Sequence, residues 1–400
     1  MKTAGIIAEY NPFHNGHCHH ISETRRMTGA ERVIAVMSGS FVQRGEPACT
    51  DKFRRANWAV RGGADMVIEL PDVFSLSCAE RFASGAVRLL KATGLIDVLS
   101  FGSETGNSDA LTKYAGNAFD ASVFDEAIGK GLSYPSAVSE AMGTSLKPND
   151  ILATEYIKAN SEYSCGFDIC AVKRDTDYNS SDLGGEQSSA YAIRLALAGG
   201  FTSTRMSPSV FDGLSRALPR KELDEMLDDA KNGLFPAYAD ALSDAILYRL
   251  RSMSKDDIAA APEVAEGLEN LYKRYSEECG DYSEMLGMIK SKRYTMARLK
   301  RIAMCCLLGV TKELQDKAFT DDSGLYIRIL AVKEGSKELI GELKEKASAP
   351  VIAQYSDRES LPLLAQRIER ISAFAHAVRS LAQPYAKSFV PDGTNKLIVI

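Results

Sequence analysis

Histidine and tryptophan are scarce in this chain of 400 residues, which holds five of the first and one of the second. Scarcity makes position informative, because His14, His17, His19 and His20 all stand together near the N-terminus. No apolar run reaches the roughly 20 residues that a membrane-spanning helix needs, so no membrane span is expected. The eight cysteines are scattered apart from Cys305-Cys306, which argues against a disulfide framework. No other cluster of His or Cys offers further ligands at metal spacing, so no protein-held metal site is expected. Positive charge is short as well. Forty-eight Lys and Arg against 53 Asp and Glu leave a net charge of −5, so any attraction to nucleic acid needs a local basic patch. Met1-Lys2-Thr3-Ala4 runs straight into an apolar strand, so no secretory leader is expected. A cytoplasmic protein is expected. The chain shows neither an internal repeat nor a low-complexity tract.

What remains is an ordinary globular composition, 45% hydrophobic and 25% charged, on a chain long enough for two or three domains. Over the first 200 or so residues, strand and helix patterns alternate. Strands are predicted at Ala4–Ala8, Arg32–Met37, Met66–Glu69, Val98–Gly102 and Phe167–Val172. Helices are predicted near His17–Thr28, Asp51–Val60, Ala79–Ala92 and Ile151–Ala159, with stops at Gly62-Gly63 and Gly94. That alternation predicts an α/β fold, a doubly wound and mainly parallel sheet covered on both faces. From about Arg205 helical patterns take over, among them Lys221–Asn232 and Tyr238–Met253. A short mixed unit follows near 320–400: strand Tyr326–Val332, helix Lys337–Lys346, strand Val351–Gln354, a long helix from about Arg358 and a last strand at Lys396–Ile400. Residues 1–204 are therefore expected to form the α/β domain. Residues 205–400 are expected to form a mostly helical domain with a small α+β unit.

The most informative segment is Gly5-Ile6-Ile7-Ala8-Glu9-Tyr10-Asn11-Pro12-Phe13-His14-Asn15-Gly16-His17. An apolar strand enters a loop that opens a helix, and His14 and His17 share one face of it. Gly16 lets a ligand approach the backbone, and the helix N-terminus suits phosphate. The motif follows the first strand, where doubly wound folds place their phosphate loop. Taken as residues alone, His19 and His20 read as solvated helix positions. Beyond other strand ends come Ser38-Gly39-Ser40-Phe41-Val42-Gln43-Arg44-Gly45, Gly102-Ser103-Glu104 and Lys173-Arg174. Ser188-Ser189-Ala190-Tyr191-Ala192-Ile193-Arg194 starts a further helix. There Ser189 is an N-cap, while Ser189 and Arg194 together suit a triphosphate tail. Lys290, Lys292, Arg293, Arg298, Lys300 and Arg301 lie in a stretch free of acids. If that stretch is helical, Arg293, Ala297, Lys300 and Arg301 fall near one face, a candidate contact for an RNA backbone.

His-x-Gly-His and the distal Ser-Ser-x-x-x-Ile-Arg resemble the two signatures of the nucleotidyltransferase superfamily related to class I aminoacyl-tRNA synthetases. Longer stretches sharpen the likeness: Ala8 to His17, Met37 to Pro47, Gly63 to Pro71, Pro148-Asn149-Asp150-Ile151-Leu152 and Ser291-Lys292-Arg293-Tyr294-Thr295. Over essentially its whole length, the chain resembles the bacterial tRNA(Met) cytidine acetate ligase family. The resemblance implies an enzyme that uses ATP and acetate to acetylate N4 of the wobble cytidine of elongator tRNA(Met), through acetyl-adenylate. It implies an ATP cradle made of Ile7, Ala8, Glu9, Tyr10, Asn11, Pro12, Phe13, His14, Asn15, Gly16, His17, Cys18, His19 and His20. Gly102, Asn149 and Arg174 would complete that cradle, within a nucleotidyltransferase-like, ATP-binding catalytic domain of residues 1–204 followed by an RNA-binding domain of residues 205–400. His14, His17, Ser189 and Arg194 are the expected catalytic residues. Magnesium is expected with the triphosphate. Two positions depart from the family pattern: Ser40 stands where Asp or Asn is expected, and Tyr191 where Thr is frequent. A small-molecule adenylyltransferase would share the first domain but needs no basic surface. A non-catalytic RNA-binding protein would not need His14, His17 and Arg194.

Overall fold

The computed structural model describes residues 1–116, 121–130, 132, 137, 140–141, 147–174, 183, 188–200, 207–265, 267–385 and 390–400. Its centre is one sheet with strands in the order β10-β8-β5-β2-β1-β6-β7. The strands are β1 (Thr3–Ala8), β2 (Arg32–Ser38), β5 (Met66–Leu70), β6 (Val98–Ser103), β7 (Asp168–Lys173), β8 (Ile327–Val332) and β10 (Ile398–Val399). The short β9 (Val351–Ile352) pairs with β8, and β3 (Phe41–Val42) with β4 (Glu46–Pro47) forms a separate hairpin. β5, β2, β1, β6 and β7 run parallel in register, whereas β8 joins β5 antiparallel.

The strand sequences explain why this sheet is buried on both sides. β2 is buried at every position, and its run Val-Ile-Ala-Val-Met is what a central parallel strand needs. Alternate side chains then feed two cores. Ile7, Ile34, Val36, Met66 and Ile68 enter one, together with Phe82, Ala86 and Leu90 of helix Ala79–Ala92 and Tyr156 of helix Pro148–Glu162. Ile6, Val33, Ala35, Met37 and Val67 enter the other, with Ile21 of helix Asn15–Thr28 and Ala56 and Trp58 of helix Lys52–Arg61.

The change of texture near residue 205 does not separate two cores. β8 and β10 come from the last quarter of the chain, yet they extend the sheet begun by β1. The first core also runs on through Leu242, Leu299, Ile302 and Leu314. Helical periodicity reports which side of a segment is apolar, not which sheet it covers. Two predicted helices differ in detail. The stretch Tyr238–Met253 divides into a 3-10 turn at Ala239–Leu242 and a helix at Ser243–Ser252. The long helix begins at Leu363 rather than Arg358, because Pro362 stands as its N-cap after a 3-10 turn at Tyr355–Ser360.

Candidate active site

The C-terminal edge of the parallel strands carries an open cavity of about 950 Å³, mouth included. β1 brings Ile7 and Ala8 to its floor, and the chain turns through Glu9, Tyr10 and Asn11 before helix Asn15–Thr28 starts. His14 is the N-cap of that helix. Its Nδ1 accepts from Gly16 N–H at 3.1 Å, while His17 Nδ1 accepts from His14 N–H at 3.2 Å. These histidines thus form a reciprocal capping box, and with Nδ1 occupied as acceptor the proton of each neutral ring sits on Nε2. Their ring centroids are 3.8 Å apart. Burial, then Arg174 and Arg194, lowers the pKa of His14 to about 3. Burial, then His14 and Arg174, holds His17 well below its ordinary value. The pair therefore presents two uncharged N–H donors.

His20 lies one turn farther on and also lines the cavity, contrary to its reading as a solvated position. Its Nε2 lies 3.1 Å from Ser100 Oγ, which lies 2.6 Å from Thr24 Oγ1, and the Thr24 hydroxyl donates to His20 C=O at 2.8 Å. With one proton per hydroxyl, Ser100 donates to Thr24 and His20 donates to Ser100. Here too burial, followed by Arg174, lowers the pKa to about 3. The signal that was missed is the polar Ser100 inside the apolar strand β6, facing the histidine helix.

The next two strands supply the second wall. In β6 and β7, Gly102 pairs with Val172, and a Cβ at Gly102 would come within 3.2 Å of Arg174 Cδ. A side chain at Gly102 would push Arg174 aside by a few tenths of an ångström where it lies across the strand end. Asn149 is placed by an exchange of caps. Glu104 accepts from Asn149 Nδ2 at 2.7 Å and from Asp150 N–H at 3.0 Å, while Asp150 accepts from Ser103 Oγ–H at 2.5 Å and from Glu104 N–H at 3.1 Å. Ser189 caps helix Ala190–Gly200 by accepting from Ala192 N–H at 3.0 Å, and it lines the cavity as well. Arg194 reaches the cavity with Nη1 donating to Asn11 C=O at 2.6 Å.

Of the segment Ile7 to His20, the cavity is lined by Ile7, Ala8, Glu9, Tyr10, Asn11, His14, His17 and His20. Gly16 and His19 line a small adjoining cleft with Arg174. Phe13 and Cys18 turn toward Gly62 of the neighbouring helix end, since a Cβ there would meet Phe13 at 2.1 Å and Cys18 Sγ at 3.2 Å. Asn15 points outward, donating to Arg216 C=O at 2.7 Å. Pro12 is buried and follows a cis peptide bond with Asn11. Residues beyond the motif also line the cavity: Gln43, Arg44, Phe82, Phe101, Leu152, Tyr156 and Tyr191. Ser40 is buried beside the hairpin and does not line it.

The basic stretch is not one helical face. The helix begins at Met296 with Thr295 as N-cap, so Lys290, Lys292 and Arg293 stand before it and are exposed. Arg298 donates to Glu263 C=O at 2.8 and 3.1 Å and lies over the Tyr294 ring. Lys300 pairs with Glu46. Arg301 is buried, with both carboxylate oxygens of Glu263 at 2.6 Å and Gln43 C=O at 3.1 Å. A buried guanidinium spent on a carboxylate is not free for a phosphate. Lys300 and Arg301 instead seat the β3–β4 hairpin against the rest of the protein.

Comparison with known proteins follows the same lines. The HIGH nucleotidyl transferase family matches residues 1–389. A tRNA(Met) cytidine acetate ligase of Acetivibrio thermocellus is 36% identical, over 88% of this chain and 88% of that one. One from Caldanaerobacter subterraneus subsp. tengcongensis is 35% identical over 96% of each. The chain belongs to the tRNA(Met) cytidine acetate ligase family. Its fold is that family's too. The crystal structure of Thermotoga maritima TmcAL bound with alpha-thio ATP superposes with a TM-score of 0.89 at 29% identity, and the apo form with 0.90 at 30%, each over 100% of both chains.

Proposed function

We propose that this ligase activates acetate with ATP and transfers the acetyl group to N4 of the wobble cytidine of elongator tRNA(Met). The observation that carries the reading is the convergence of two uncharged Nε2–H donors, His14 and His17, with the guanidinium groups of Arg174 and Arg194 above one strand edge. Such a group suits a polyphosphate whose charge shifts during reaction. In the first step a carboxylate oxygen of acetate attacks the α-phosphorus of ATP. The bond to the β-phosphate breaks, and acetyl-adenylate and pyrophosphate form. His14, His17 and the helix N-terminus would hold the α- and β-phosphoryl oxygens, with Arg194 and Ser189 on the departing pyrophosphate. In the second step N4 attacks the acyl carbon, loses a proton, and AMP leaves. This step needs mainly positioning, because the acyl group is already activated.

Magnesium would enter with the triphosphate. Among the described residues, no group of three His, Cys, Asp or Glu side chains could hold a metal ion. For the RNA, Lys290, Lys292 and Arg293 supply exposed charge before helix Met296–Leu308. Binding that depends on phosphate contacts should weaken steeply with salt. The direct test incubates the protein with ATP, labelled acetate and unmodified elongator tRNA(Met), followed by mass spectrometry of the nucleosides. Labelled N4-acetylcytidine is the expected product. Acetate-dependent pyrophosphate release without it would mean a different acceptor.

A further inference from the structure

Two loops meet at the cavity, and one buried side chain joins them. Between β1 and helix Asn15–Thr28 the chain passes through Glu9, Tyr10 and Asn11, which belong to neither strand nor helix. Tyr10 stands there at φ +46°, a left-handed conformation that a bulky residue keeps only where its surroundings over-determine it. The second loop leaves β2 at Ser38 and Gly39 and becomes the hairpin whose tip, Gln43 and Arg44, lines the cavity. Arg55 of helix Lys52–Arg61 reaches both. Its Nη1 donates to Glu9 C=O at 2.7 Å and to Ser38 C=O at 3.0 Å, and its Nη2 donates to Gly39 C=O. The side chain is fully buried, and among the described residues no carboxylate bonds it. Asp51 and Asp72, the acids near enough to act on its charge, accept instead from Arg54 N–H and Phe41 N–H. Burial lowers its pKa to about 10, which still leaves it charged at neutral pH. A buried cation without a carboxylate partner is costly, and this one is held by three carbonyls from two loops that both line the cavity.

We propose, on the ligase reading above, that Arg55 is a positioning residue for the ATP step. Its guanidinium fork sets where the Glu9–Asn11 loop, and with it the pair His14 and His17, stands relative to the hairpin tip. Arg55 does not line the cavity, so it acts through Glu9 rather than on the substrate. Glu9 is held twice, by Arg55 through its carbonyl and by Gln43 N–H, at 2.9 Å, through its carboxylate. Asn11 follows two residues on, accepting from Cys49 N–H at 2.8 Å with its side chain and from Arg194 with its carbonyl. His14 then opens the helix as its N-cap. Each link from Arg55 to the phosphate donors is thus a hydrogen bond or a stretch of a few residues. An ammonium would carry the same charge, but it lacks the planar fork that meets two loops at a fixed spacing. A misplacement of about 1 Å, even one caused far from the chemistry, can lower a rate about 10²-fold.

The test separates rate from binding in the full-length protein. Equilibrium dialysis gives the fraction of protein that binds ATP, and acetate-dependent exchange of pyrophosphate into ATP gives the rate per bound ATP. Arg55→Lys should lower the rate per bound ATP at least about tenfold, with a smaller change in KM for ATP. Arg55→Gln leaves no charge to bury, so it keeps the test open if Arg55→Lys does not fold, and it should show the same loss. Arg88→Met is the control, because Arg88 is likewise buried and donates to Ala318 C=O at 2.9 Å without lining the cavity. It should lower the melting temperature and leave the rate per bound ATP unchanged. The proposal is overturned if Arg55→Lys exchanges at the full rate, or if Arg88→Met loses as much rate as the Arg55 variants. It is overturned equally if those variants lose only the capacity to bind ATP, which would make Arg55 a structural residue. If the unsubstituted protein shows no acetate-dependent exchange, the ligase reading itself fails, a different result from any of these.

Discussion

Replacing Asp72 with Asn should make the protein more stable, and more so at high pH. Asp72 follows β5 and is fully buried. Its Oδ1 accepts from Phe41 N–H at 2.7 Å at the start of the hairpin. Its Oδ2 comes close to Glu69, as both would crowd a Cβ at Gly39, at 2.7 and 3.0 Å. Burial, then the Glu69 carboxylate, raises the Asp72 pKa from 3.8 to about 7, against the pull of Lys52, the Phe41 amide and Arg55. A raised carboxyl pKa means that the folded state keeps a proton the unfolded chain releases near pH 4. Folding is then unpenalised below about pH 4, loses about 1.4 kcal/mol per pH unit as pH rises toward 7, and is flat above. The full penalty is on the order of 4 kcal/mol, against about 1.5 kcal/mol at pH 5. Asn carries no charge at either pH and keeps an oxygen for Phe41 N–H. Urea unfolding of Asp72→Asn and the unsubstituted protein at pH 5 and pH 8 should show the gain growing by about 2–3 kcal/mol between them. Equal gains at both pH values, or a loss at pH 8, would refute the account of Asp72 as a carboxyl that burial makes costly to ionise.

Four further outcomes are expected. His14→Ala removes the proposed phosphate donor and the N-cap together, so acetate-dependent pyrophosphate exchange should fall about 10²–10³-fold, with a loss of about 1 kcal/mol in urea unfolding. Glu263→Ala leaves the buried Arg301 without its carboxylate and should cost about 3–5 kcal/mol, most of it recovered when Arg301 is also made Met. Gly45→Ala forces a side chain onto a backbone at φ +74°, with its Cβ 2.4 Å from Arg301 N. It should lower stability by at least about 1–2 kcal/mol, and raise KM for ATP because the tip moves. The ring resonances of His14 and His20 should not shift between pH 5 and pH 8 in NMR titrations of the free protein, since both pKa values are lowered to about 3. The share of stability that these imidazoles govern should correspondingly drop as pH falls below about 6.5, where the unfolded imidazoles take up protons that the folded ones do not.

The central strand β2 was legible because it is buried on both faces, which leaves the unbroken apolar run Val33 to Met37. The start of the histidine helix was legible for a local reason, as a cap and the residue it bonds are three positions apart. Pairing across long intervals left no such trace. β8 lies antiparallel on β5, and nothing within Ile327–Val332 names that partner. The hairpin Phe41–Pro47 looked like a polar loop because its seat, Lys300 and Arg301, is more than 250 positions away.

The basic stretch shows the same limit at the level of function. Six cations without an acid look like one solvated face as long as the acids that neutralise them are distant in sequence. Glu46 and Glu263 are such acids, and they divide the stretch by burial. Lys290, Lys292 and Arg293 keep their exposure, while Arg301, in a low-dielectric setting, keeps only the charge partner that the fold supplies. A buried ion pair adds little net stability over an apolar pair of the same shape, but it fixes one geometry, since losing either partner strands a charge. The geometry fixed here is that of the hairpin whose tip lines the cavity. The cations that looked most like an RNA surface thus part into two sets, some facing solvent and one holding Gln43 in place.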